Sequence, residues 1–154
     1  MNTSIQPVGA NSVGNNTSLY LVRLEVGNAG TPGAPVLHLD LLVDAVRGTV
    51  TGRGMIAQAL PMPFGEIDIP HVTGHVHATG LGPYTKVVSL QGDALVPTGD
   101  AEQSYVSKFS AGLSIDDAWT GTGGWTLGKT RVEGVPLERN DLRVGAEPRR
   151  MDVA

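Results

Sequence analysis

Short runs of alternating apolar and polar residues recur along this chain, separated by glycine. A period of two is the signature of a half-buried strand, because successive side chains leave a strand on opposite faces. "YLVRLEV", "VLHLDLLV", "GTVTGRGMIA", "HVTGHVHATG", "KVVSLQGDALV", "SKFSAGLSI" and "AWTGTGGWTL" follow one another with little between them. "KTRVEGVPL" supplies an eighth short run. Seven or eight such segments joined by short turns predict an all-β antiparallel fold, an up-and-down barrel or, as the alternative, a two-sheet sandwich. Small side chains on the inward faces favour the barrel, whose narrow interior takes small and large residues in alternation.

The parity within each run assigns faces. Tyr20, Val22, Leu24 and Val26 share one face of a strand from Leu19 to Val26. Leu37, Leu39, Leu41 and Val43 share one face of the next, and the other face, Val36, His38, Asp40 and Leu42, is only half polar. That pattern suits a strand covered on both sides. Gly52 and Gly54 lie between Val50 and Ile56 on one face of the third strand, which permits tight curvature or close approach of another backbone. "ALPMPFGEIDIP" carries prolines at 61, 63 and 70 and reads as a connection, so the fourth strand is placed from His71 to Thr79. Further strands are expected from Thr85 to Val96, Tyr105 to Ile115 and Trp119 to Leu127. Residues 1–18, rich in Asn, Ser, Gly and Thr, read as a flexible arm before a β domain over 19–136. Residues 137–154 read as a charged, loosely ordered tail, and Pro136 just before it is also able to open a short helix.

Composition excludes several functions. Only 17% of the 154 residues are charged and the net charge is −4, so there is no basic face to displace counterions from nucleic acid. A thinly charged surface also tolerates self-association. There is no cysteine, hence no disulfide, thiolate nucleophile or zinc–thiolate site. No apolar run reaches the ~20 residues of a membrane helix. The N-terminus lacks the basic start and apolar stretch of a secretory signal, so the expected location is cytoplasmic, with non-classical export open.

Histidine forms the one metal-like cluster. His71, His75 and His77 sit at even spacing on one strand, hence on one face, and His38 shares a face with Asp40. Converging imidazoles suit a borderline metal such as zinc. Yet His75 and His77 stand about 7 Å apart along a strand, and Arg53 between the neighbouring strands would repel a cation. Solvent-facing or interface histidines are the plainer reading, beside a metal or pH-sensing site. Trp119, Trp125 and Tyr105 are candidates for a ligand-stacking patch, and equally for core anchors. No Gly-x-Ser-x-Gly elbow surrounds Ser89, Ser107 or Ser110, and "GTGG" at 121–124 is followed by neither Lys-Ser/Thr nor a helix. No catalytic residue and no cofactor is expected.

The Thr-Gly strands with late tryptophans are similar to avidin-type eight-stranded barrels, which bind small ligands and form tetramers; no ligand residue carries over. "LYLVRLEVGNAGTPGAPVLHLDLLV", "GTVTGRGMI", "HVTGHVHATG" and "VSLQGDA" resemble a bacterial family of small β proteins catalogued only as a domain of unknown function (number eighteen-forty-two). That resemblance spans about Leu19 to Leu137 and implies the same fold and a bacterial source. The expectation is a non-enzymatic, self-associating barrel in a structural or assembly role, a homo-oligomer or filament without nucleic-acid or membrane partners. The alternative is a barrel that binds a small molecule or metal on the His71/His75/His77 face or the Trp119/Trp125 face.

Overall fold

The computed structural model describes residues 18–61, 64–80, 82–99 and 103–140. The expected arm, apart from Ser18, and the tail beyond Asn140 lie outside the described residues. Eight strands form in chain order: β1 Leu19–Gly27, β2 Val36–Asp44, β3 Thr49–Ala57, β4 Glu66–Ala78, β5 Lys86–Pro97, β6 Ser104–Ile115, β7 Gly121–Leu127 and β8 Thr130–Arg139. Each pairs antiparallel with the next, and β8 returns to β1, closing an up-and-down barrel. Closure removes most of the open sheet edge that such strands would otherwise expose.

Closure decides which of the two faces grouped by alternation is the inside. Val22, Leu24 and Val26 of β1, Leu37, Leu39 and Leu41 of β2, and Phe109, Leu113 and Ile115 of β6 are fully buried. Among the described residues no polar or charged side chain is buried. An eight-stranded barrel is just wide enough for its own side chains to fill, and here they fill it. The half-apolar second face of β2 is not a second buried layer. It is the outer wall, where Leu42 lies opposite the exposed Leu21.

Glycine allows the wall to bend inward. At Gly52 the space a Cβ would need is held by the backbone carbonyl of Asp40, and at Gly74 by that of Ser89. These are the close backbone approaches that paired strand glycines anticipate.

Three further expectations need correction. β4 begins at Glu66, not His71, and Pro70 lies within it. The register shifts there on both sides, between Gly52 and Gly54 and between Asp68 and His71. Such a bulge interrupts the ladder, so a residue without an N–H is accommodated. Trp119 precedes β7 and sits in the turn before it. Pro136 opens no helix; it lies inside β8, which carries the buried Leu137 into the barrel and so extends the β domain past residue 136. Leu137–Arg139 pairs with Leu24–Val26 to make the closing seam.

Candidate functional site

Seven connections and the chain's entry define two rims. The β1–β2, β3–β4, β5–β6 and β7–β8 connections meet at one end, called here the upper rim. The chain's entry at Ser18 and the β2–β3, β4–β5 and β6–β7 turns meet at the lower rim. Between them the outer wall is polar. One lateral row reads Arg23, Asp40, Arg53, His71, Asp93 and Lys108 across β1 to β6, with Arg53 and His71 meeting at the bulge. Charges alternate along it. Arg23 Nε is 3.3 Å from Asp40, Arg53 Nε 3.8 Å from the same carboxylate, and Lys108 Nζ 3.3 Å from Asp93. Exposed pairs of this kind add little stability, but they leave the waist without a field of one sign. The next row is Thr51, Thr73, Gln91, Ser110 and Thr126, all uncharged. Ser110 and Thr126 share a 2.7 Å hydrogen bond.

Beside the β4 bulge this wall is concave. An open groove of about 660 Å³ is lined by His71, Thr73, Gln91, Asp93, Lys108 and Ser110, with Pro70 and Leu95 at its margin. It offers hydrogen-bond donors and acceptors. Asp93 and Lys108 neutralise each other, which leaves hydroxyl, amide and imidazole groups as the groove's uncharged hydrogen-bonding partners.

The histidines share the outer face, as their spacing predicts, but not one centre. His71 lines the groove, with its Nε2 3.3 Å from the Thr51 hydroxyl. His75 opens into a second groove with Leu19, Leu42 and Thr49, and its ring stacks on His77 at 6.1 Å between centroids. His38 lies two strands away, 3.8 Å from Glu25. Among the described residues no three His, Asp or Glu side chains are grouped to hold a metal ion.

The aromatic candidates separate as well. Trp119 and Trp125 are 1% and 3% exposed, inside the barrel. They are core anchors, because the odd-numbered face of β7 looks inward and the turn folds Trp119 under the lower rim. The Trp119 indole N–H donates to the Tyr20 hydroxyl at 3.1 Å, and the rings meet edge to face. Tyr105 has inward parity but stands past the upper rim, 55% exposed. The three do not form one patch.

The feature that single-residue reading missed is the placement of exposed apolar side chains. Leu19, Leu21, Val46, Tyr84 and Val87 gather toward the lower rim, and Leu60, Phe64, Leu95, Tyr105 and Val106 toward the upper. Strand parity hinted at it through Leu19 and Leu21, yet only the closed register sorts all of them to the ends.

Two turn carboxylates help shape the lower rim. Asp44 accepts from the backbone N–H groups of Val46 and Arg47 and pairs with the Arg47 guanidinium at 3.0 Å. The Arg47 backbone bond, then its side chain, holds the Asp44 pKa below the ordinary carboxylate value. Lys86, bonded at 3.1 Å, does the same for Asp117.

No curated protein matches the chain. A family model described as "Domain of unknown function (DUF1842)" matches residues 17–130, which take in β1 through β7 and reach the start of β8. A match over most of the chain, covering seven of the barrel's eight strands, makes this protein a member of that family.

Proposed function

We propose that this protein is a non-enzymatic structural barrel of the bacterial cytoplasm that self-associates through its rims. The observation that carries the reading is the segregation of the wall: a self-neutralised polar waist between two ends bearing exposed Leu, Val, Phe and Tyr. Apolar surface gathered in patches is the kind that further copies cover, and two different patches at opposite ends suit a head-to-tail contact as well as a symmetric one. The filled interior supports the same reading, since it leaves the outside of the barrel to do the work.

Native mass spectrometry and light scattering on the full chain test it. A concentration-dependent oligomer without added mass is expected; a monomer at high micromolar concentration overturns it. A second reading has its own observation, the groove beside the β4 bulge lined by His71, Thr73, Gln91 and Ser110. It predicts a co-purifying adduct, or a thermal shift with a polar ligand that His71→Ala abolishes.

A further inference from the structure

We propose that the upper end of β6, residues Ser104–Ser107, is a strand-pairing surface for a second copy of this chain, joining two barrels through one continuous sheet. The inference rests on the self-association reading and names its interface.

β6 outruns its neighbour. It pairs with β5 along its whole length, from Pro97↔Ser104 to Lys86↔Ile115. Its pairing with β7 starts only at Phe109↔Leu127. The β7–β8 turn then closes at Gly128, whose N–H donates to the Lys108 carbonyl at 3.0 Å. Beyond that bond no described strand flanks Ser104–Ser107 on the β7 side. Backbone N–H and C=O groups of one residue point to the same side of a strand, and the side alternates. The Lys108 carbonyl points toward β7, so the groups of Val106 and Ser104 face that open side, while those of Tyr105 and Ser107 serve the ladder with β5.

This edge lacks the devices that usually protect one. Ser104–Ser107 holds no charge and no proline, and Val106 is 62% exposed. The overhanging edge of β8 makes the contrast. It carries Arg131 and Glu133, paired at 3.1 Å, and kinks at Gly134 with φ +65°. Leu95, opposite Val106 on β5, extends the exposed apolar strip beside the open edge.

The free groups also select a register. Lys108 is already occupied, so the open pairs belong to Ser104 and Val106. An antiparallel twofold that matches Val106 with the partner's Ser104, and the reverse, uses both completely. It brings the two Tyr105 residues opposite each other on the axis, in a non-hydrogen-bonded pair, the closer kind. The contact is isologous and self-complementary, without a charge in its centre, which is why a second copy fits it better than an unrelated charged strand.

Two variants of the full chain test the interface. Val106→Pro removes an N–H that the β5 ladder does not use, so the monomer fold survives, checked by circular dichroism and Tm. It deletes a donor from each copy, two bonds per dimer, and is expected to weaken association by about tenfold or more; Val106→Thr, which keeps the N–H, is expected to associate as before. Tyr105→Cys adds the chain's single thiol. Cα atoms about 4.5 Å apart in such a pair lie within disulfide range, so oxidised glutathione should convert this variant to a covalent dimer, while Tyr84→Cys at the lower rim stays uncrosslinked. An oligomer that ignores Val106→Pro and leaves Tyr105→Cys uncrosslinked overturns this interface and spares self-association. A wild-type chain that stays monomeric overturns both.

Discussion

Trp119 shows how one residue can hold a strained conformation for the sake of packing. Its φ is +62°, the left-handed region that bulky side chains avoid. The turn imposes it: Asp116 Oδ1 accepts from the N–H groups of Ala118 and Thr120, and the Trp119 N–H donates to the Asp116 carbonyl. The backbone strain of such a conformation is of order 1–3 kcal/mol, and burial of the indole against Tyr20 offsets it. Trp119→Ala is therefore expected to lower stability by about 3–5 kcal/mol in urea unfolding. Tyr20→Phe, which leaves the indole N–H without its acceptor, should cost about 1–3 kcal/mol. Asp44 gives a pH-dependent counterpart. Its folded pKa lies below the ordinary 3.8, so the stability it contributes is present above that value and is lost as pH falls through the depressed folded pKa. Tm measured against pH should show Asp44→Asn less stable than wild type near neutrality, the gap closing in acid. A gap that widens in acid would contradict the assignment.

At the scale of the strand, the glycines and the bulge bend a sheet into a barrel. Gly74 lies against the Ser89 carbonyl, so Gly74→Ala cannot be accommodated without separating β4 from β5. Gly112, with open space where its Cβ would stand, serves as the control. Gly74→Ala should lower Tm sharply while Gly112→Ala changes it little; equal effects would place the close approach elsewhere. Much of this was legible in the sequence. Parity sorted the side chains of each strand into two faces, because successive residues leave a strand on opposite sides, but which face is inside was not legible until the strands closed. The start of β4 was not legible, because Pro61, Pro63 and Pro70 read as a loop; a bulge that releases the backbone of Pro70 from the ladder is a property of two neighbouring strands together. Trp119 failed for a related reason: its parity matches Trp125, but a tight turn, not a strand, delivers it to the core.

Across the whole molecule, the arrangement that matters is a polar waist between apolar rims. The waist keeps its charges paired across strands, Arg23 with Asp40 and Asp93 with Lys108. The rims have no such pairing for their exposed Leu, Val, Phe and Tyr. Leu21→Lys, on the outer face at 70% exposure, should leave Tm within a degree or so of wild type because it touches no core residue. If the lower rim takes part in association, the same variant shifts the oligomer toward smaller species in light scattering. An unchanged distribution would confine association to the upper rim.

The sequence alone determined the all-β class, which residues share a strand face, and the absence of thiolate chemistry, because these depend on local period and on composition. Whether His38, His71, His75 and His77 share a centre, whether the tryptophans face a ligand or a core, and where the exposed apolar side chains gather were decided only by the tertiary structure. Each depends on register between strands and on closure. A strand's own alternation says which residues share a side, but the stagger of its neighbours decides a residue's height on the barrel, and height is what separates the waist from the rims and leaves the upper end of β6 without a described strand on its β7 side.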